Sequence, residues 1–189
     1  IRESNDVRCI DLNAAEEMRK KILDVKNKGD SVGGVIEVIA LNVPPGIGEP
    51  IFGKLNSEIS YALSSIPAVK CVEIGRGIEL SEMLGSESND EIYIDENKKI
   101  LTKTNNCGGI LGGISNGMPI VARAYFKPTS SIKKIQNTID IEKMENTKLQ
   151  IRGRHDPCVV PRAVVIVEAM LSIVIVDAMM MQGIIPRKF

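Results

Sequence analysis

Residues 164–181 are almost all apolar, with charges only at Glu168 and Asp177. A run this apolar must leave water, and that requirement constrains the fold more than any other stretch of the chain. No uncharged segment within it reaches the roughly 18 residues that a membrane helix needs. We therefore read residues 161–182 as a buried helix, with Pro161 suited to its first turn and Gly183 as its stop.

The remaining chain alternates helix and strand signals. Residues 14–26 are rich in Ala, Glu, Lys, Met and Arg, which predicts a helix with Asn13 as N-cap. β-Branched residues over 32–43 predict a strand. Pro44-Pro45-Gly46-Ile47-Gly48-Glu49-Pro50 excludes regular structure and reads as a shaped loop. Leu55, Ile59, Ala62, Leu63 and Ile66 recur at helical spacing before Pro67. Residues 69–74 read as a short strand. Residues 91–94 are a further strand candidate, with a turn at 95–98. The strongest hairpin signal pairs 108–114 with 120–126 across Asn116-Gly117. Residues 140–151 read as a solvated strand or loop pair. Alternating blocks of this kind give an α+β or α/β fold.

The chain has 189 residues, enough for one domain, and we expect a single domain over 1–189 with tails at 1–10 and 183–189. Its formal net charge is zero, which argues against a nucleic-acid partner because counterion release needs a basic surplus. A local basic pocket for a small anion stays open. Cys9, Cys71, Cys107 and Cys158 form no CxxC pair, so neither a metal site nor a disulfide framework is expected. Scattered thiols fit a reducing compartment. The N-terminal residues lack an apolar signal core. No initiator methionine is present, so the chain reads as a piece of something longer.

The chemistry concentrates in Gly153-Arg154-His155-Asp156-Pro157-Cys158-Val159-Val160-Pro161-Arg162. Three ionisable side chains precede a helix start, where free N–H groups favour an anion. A surface turn with an Arg–Asp ion pair is the plainer reading. Lys127-Pro128-Thr129-Ser130-Ser131 offers an ammonium and three hydroxyls on a stiffened bend, suited to a polar ligand or to capping a helix at Ile132. The Gly108–Gly113 run lacks side-chain walls at four positions, so backbone could approach a flat ring, or the run is simply hairpin flexibility.

The run from Gly153 to Val164 closely resembles the C-terminal signature of the chorismate synthases. Further blocks resemble that family in its own order. They are Gly29-Asp30-Ser31-Val32-Gly33-Gly34-Val35-Ile36-Glu37, Asn42-Val43-Pro44-Pro45-Gly46-Ile47-Gly48-Glu49-Pro50, and Ser65-Ile66-Pro67-Ala68-Val69-Lys70 with Glu73-Ile74-Gly75. Gly85-Ser86-Glu87 with Asn89-Asp90, Gly108 to Gly117, and Lys127-Pro128-Thr129-Ser130-Ser131-Ile132 complete the set. The resemblance implies an α+β, β-α-β sandwich of antiparallel sheets around a helical layer, assembled as a homotetramer, of which this chain is the C-terminal half. It implies a lyase of the shikimate pathway, cytoplasmic, or in a plastid-like organelle if a transit peptide preceded the chain. The reaction implied is a 1,4-anti-elimination of phosphate from 5-enolpyruvylshikimate-3-phosphate, with reduced FMN and no net redox change. NADPH is one candidate for the reductant.

By the same resemblance, Pro67, Ala68, Gly112, Lys127, Pro128, Thr129, Ser130, Ser131 and Arg154 contact the flavin. Arg154, a fork-shaped permanent cation, also meets the substrate. Asp156 is the acid–base group beside the flavin. His155, the only histidine, reads as a structural imidazole, since the family's two acid–base histidines belong to its N-terminal half. This chain alone should therefore lack a complete site. Its partners are a small-molecule substrate and that missing half, with no nucleic acid and no membrane. Two rivals remain: a non-catalytic flavin- or anion-binding module on the same scaffold, and a structural domain whose glycines only make turns. The lyase reading expects the Arg154 turn, the hairpin glycines and the Lys127–Ser131 bend to share one cavity.

Overall fold

The structure, a computed structural model, describes residues 2–186. Ile1 and residues 187–189, at the outer ends of the two expected tails, lie outside the described residues. In chain order the elements are α1 (Leu12–Asn27), β1 (Gly34–Ala40), α2 (Leu55–Ser64), β2 (Val69–Ile74) and the single turn α3 (Gly85–Ser88). There follow β3 (Ile92–Ile94), β4 (Ile100–Thr102), β5 (Ile110–Leu111), β6 (Ile114–Ser115) and β7 (Ile120–Phe126). The last are β8 (Gln136–Asp140), β9 (Glu145–Leu149) and α4 (Val160–Met181). Strands β1, β7 and β2 form one sheet in that order. The pairs β3–β4, β5–β6 and β8–β9 are antiparallel ribbons. The class is α+β.

By packing, the chain forms two compact units. One holds the residues up to Gly34 together with Phe126–Val164; the other holds Val35–Tyr125 and the residues from Val165 onward.

The second unit carries the larger apolar core. Along β7, burial alternates strictly, with Ile120, Ala122 and Ala124 fully covered. That period-2 pattern is what one buried sheet face requires. α2 packs on β2 and β6 and buries Leu55, Ile59, Ala62 and Leu63 on one stripe. The loop after β1 is fixed by Ser115, whose Oγ donates to the Pro44 carbonyl (2.6 Å) and accepts from the Ile47 N–H (2.9 Å). Asp90 organises the loop before β5. Its carboxylate accepts from Thr104 Oγ1 and from the main-chain N–H groups of Asn106 and Cys107, at 2.7–2.9 Å. Burial pushes the Asp90 carboxyl up, but these three donors outweigh it and the net shift is downward.

The hairpin expected across Asn116-Gly117 is centred elsewhere. β5 pairs with β6 across Gly112-Gly113, which have φ of 61° and 90°. Two consecutive positive φ values are what a two-residue hairpin loop demands. Asn116 instead makes a local turn, its Oδ1 accepting from the Met118 N–H, and β7 joins the three-stranded sheet.

In the first unit α1 is a solvated helix that buries only Ala15. Its cap is Asp11 rather than Asn13: the Asp11 carboxylate accepts from the N–H groups of Asn13 and Ala14, one of which lies at the position assigned to the cap. Within residues 2–10, Asn5 brackets Cys9 through two hydrogen bonds, and Arg8 Nη1 donates to the Pro161 carbonyl at 3.2 Å. The β8–β9 ribbon is exposed along β9, as a solvated pair should be.

α4 corrects the reading of a buried helix. Ala163, Val167, Leu171 and Ile175 form a covered stripe at four-residue spacing. Val165, Ile166, Ile173 and Val176 stand exposed, and only 17% of its most apolar 18 residues are buried. By length and composition alone this helix would also pass for a membrane span. The physical reason is geometric: one neighbouring surface can cover only one stripe of a helix.

Candidate active site

The site is built where α1 stops. Gly29, at φ 68°, ends the helix in a Schellman arrangement, with its N–H on the Lys26 carbonyl (3.0 Å) and the Asp30 N–H on the Val25 carbonyl (3.0 Å). The reversal sends residues 30–33 between two other segments. Ser31 Oγ donates to the Thr129 carbonyl at 2.6 Å, and the Val32 N–H donates to the Pro157 carbonyl at 2.8 Å. Thr129 Oγ1 closes the triangle by donating to the Asp156 carbonyl at 3.1 Å. Gly33 permits the close approach, because a Cβ there would lie 2.1 Å from the Phe126 carbonyl oxygen. Three sequence blocks are thereby tied together, by two side-chain hydroxyls and one main-chain N–H that all end on main-chain carbonyls.

Beside this junction is a cavity of about 480 Å³ lined by Lys26, Gly29, Asp30, Ser131, Ile132, Lys133 and the turn from Gly153 to Pro157. Its volume falls within the ~300–1,000 Å³ usual for small-molecule sites. The carboxylates of the wall are both paired. Lys134 Nζ lies 2.6 Å from Asp30 Oδ2, and Arg162 Nη1 lies 2.9 Å from Asp156 Oδ2. Hydrogen bonding from Lys134, then from the Ser31 N–H, holds the Asp30 carboxyl below its ordinary range. Arg162 sits in the first turn of α4, so the Arg–Asp pair anticipated in this turn exists, but with Arg162 as the cation. His155 Nε2 is buried and has no hydrogen-bond partner among the described residues. Burial pushes the Cys158 thiol up, against a smaller opposing effect of the Val160 N–H, which leaves a poor nucleophile beside the turn.

Of the residues singled out in the sequence, Ser131, Arg154, His155 and Asp156 line this cavity. Thr129 lies behind it, holding the Asp156 carbonyl. Lys127 Nζ donates to Ser130 Oγ at 2.7 Å, and the Ser130 carbonyl accepts from Gln136 Nε2. Pro128 abuts Gly33, its nitrogen 3.1 Å from where a Cβ would stand. Pro67, Ala68 and Gly112 belong to the second unit. Ala68 has φ 75°, an uncommon conformation for a residue with a side chain. Gly112 is exposed at the β5–β6 turn, with open space where a Cβ would point.

The reading from sequence missed Lys26, Lys133 and Arg162 as site residues. Arg162 was within reach, because it stands in the same motif as Asp156. Lys26 and Lys133 gave no signal: each looks like one more solvated lysine at a helix end or in a loop.

A phosphate-bearing cofactor fits what is present. The wall supplies Lys26, Lys133 and Arg154 for an anion, the Ser131 hydroxyl, and at Gly153 (φ 130°) a stretch with no side chain. The fold and this wall together define an α+β protein with a pocket lined by three cationic side chains. The family model for chorismate synthase matches residues 1–180. The chain is 54% identical over 183 residues to the chorismate synthase of Methanothermobacter thermautotrophicus, covering 97% of this chain and 49% of that protein. It is 55% identical over 185 residues to that of Methanocaldococcus jannaschii, covering 98% and 49%. A crystal structure of chorismate synthase superposes with a TM-score of 0.78 at 38% identity, covering 96% of this chain and 47% of that one. The chain belongs to the chorismate synthase family. It spans about half the length of the curated relatives it matches.

Proposed function

We propose that this chain is the C-terminal half of a chorismate synthase and supplies the turn that performs its chemistry: the elimination of phosphate from 5-enolpyruvylshikimate-3-phosphate. The observation that carries the reading is the convergence of Ser131, Arg154 and Asp156 on one cationic cavity, in a chain whose relatives are named for this activity.

Reduced FMN, when bound, supplies transient electron density to the breaking carbon–oxygen bond, so that the reaction ends without net redox change. Arg154 presents a forked cation to the anionic ligands. Asp156 accepts the proton that leaves the substrate, its carboxylate aimed by Arg162 and its backbone by Thr129. Ser131 donates a hydroxyl hydrogen bond. Lys127 and Ser130 stiffen the bend by bonding to one another. Pro67, Ala68 and Gly112 are the remaining flavin contacts of this reading.

Several further features belong to the same reading. The missing half covers the bare face of α4, where Val165, Ile166, Ile173 and Val176 would otherwise face water. It also completes the site, so this half alone is inactive. The chain folds as a single domain of the complete enzyme, which assembles as a homotetramer in the cytoplasm. NADPH is a candidate source of the reducing electrons. A non-catalytic module on this scaffold is not favoured, because Arg154 and Asp156 are both present and both face the cavity.

Phosphate release from the enolpyruvyl substrate with reduced FMN tests the proposal, using this chain alone and joined to an N-terminal half. Turnover confined to the joined polypeptide is expected. Absence of flavin binding and of turnover in the joined polypeptide would overturn the reading.

A further inference from the structure

The charges around the cavity are unevenly satisfied. Both wall carboxylates are occupied from outside the lining, Asp30 by Lys134 at 2.6 Å and Asp156 by Arg162 at 2.9 Å. The cations that do line the cavity, Lys26, Lys133 and Arg154, have no ion-pair partner among the described residues. A chain of zero net charge thus gathers three uncompensated positive charges around one concavity. Like charges held this way repel one another, and a bound anion relieves the repulsion. A carboxylate brings a single negative charge. A phosphate monoester brings about 1.5–2 charges at neutral pH and three strong acceptor oxygens, a closer match to three cations and the Ser131 hydroxyl.

We propose that this cavity recognises the phosphate monoester of its ligand, with Lys26 and Lys133 as recognition residues beside Arg154. Lysine suits that task as a mobile point charge, whereas Arg154 gives a fixed fork. The inference rests on the flavin-dependent elimination proposed above, in which two ligands carry such a group: the flavin mononucleotide and the enolpyruvyl substrate. Lys26 and Lys133 are both exposed, so neutral replacements leave the fold intact.

The test uses the joined polypeptide and the variants Lys26→Gln, Lys133→Gln and the double substitution. FMN affinity is compared with that for riboflavin, which lacks the phosphate, and the substrate KM is measured in parallel. The double variant is expected to lose about tenfold or more in one of two quantities, the preference for FMN over riboflavin or the substrate affinity. The lysine-to-arginine pair should retain both, and raised salt should shrink the difference. A change confined to the first quantity assigns the site to the flavin phosphate; a change confined to the second assigns it to the substrate. If the double variant leaves both unchanged while FMN still binds, the inference falls and the flavin reading stands. If the unsubstituted protein binds neither flavin, both fall together.

Discussion

The two units of the chain are stabilised by different physics. The second has a core of the ordinary kind: Leu55, Ile59, Leu63, Ile120 and Val167 are covered almost completely. In the first, only Ala15, Phe126 and Ala163 are buried hydrophobic residues among those described. Its cavity turn is held by main-chain and side-chain hydrogen bonds and by two ion pairs. Burial of apolar area supplies most of the stability of a domain, and hydrogen bonds add about 1 kcal/mol each. A region built on the second kind of contact has little stability to spare, but its polar groups stay available to a ligand. The lesson is a division of labour, with the scaffold in one unit and adjustable charge in the other.

That contrast can be broken most forcefully in the core. Leu63→Ala should cost about 2–5 kcal/mol, read as a lowered denaturant midpoint, with ligand affinity of the folded fraction unaltered. Gly33→Ala is the counterpart in the first unit. Its new methyl would meet the Phe126 carbonyl at 2.1 Å, and the resulting strain should cost about 1–3 kcal/mol while weakening flavin binding. A loss of stability with flavin affinity untouched would show that the junction of the three blocks does not position the site.

Acid should discriminate too. The folded pKa of Asp90 is depressed, so its stabilisation is complete above the unfolded value near ~3.9 and is lost as pH falls through the lower, folded value. Asp90→Asn should cost about 1 kcal/mol at neutral pH, and the two proteins should converge in acid. A constant difference between them down to pH 2 would exclude the carboxylate as the cause. The smallest effect is expected for Thr129→Val, about 0.5–1 kcal/mol, from the lost hydrogen bond to the Asp156 carbonyl. Here the informative readout is kcat against flavin affinity. A fall in kcat with affinity kept marks Thr129 as a positioning residue; a fall in affinity alone returns it to direct flavin contact.

Much of this arrangement was legible in the sequence. The helical spacing of Leu55, Ile59 and Leu63 sufficed to place α2, because period and burial agree there. The turn from Gly153 to Pro157 was legible because its residue types carry their own chemistry. The hairpin was misplaced for a definable reason. Gly112-Gly113 and Asn116-Gly117 are both competent turn signals a few residues apart, and strand pairing, a long-range property, selects between them. The cap of α1 shifted because Asp11 and Asn13 are both good cap residues. α4 read as wholly buried because composition reports how apolar a helix is and not how many of its sides are covered. Thr129 stood out in the sequence as a ligand hydroxyl, whereas its visible bond runs to the Asp156 carbonyl, which no residue type announces. Lys26 and Lys133 were silent because a lysine's meaning lies in what surrounds it.

The most direct test of the central claim, that the turn before α4 performs the chemistry, is single-turnover phosphate release by the Asp156→Ala variant of the joined polypeptide, with flavin affinity measured on the same sample. The account predicts a rate lower by about 10²–10⁴ with flavin affinity retained. Unchanged phosphate release would contradict it.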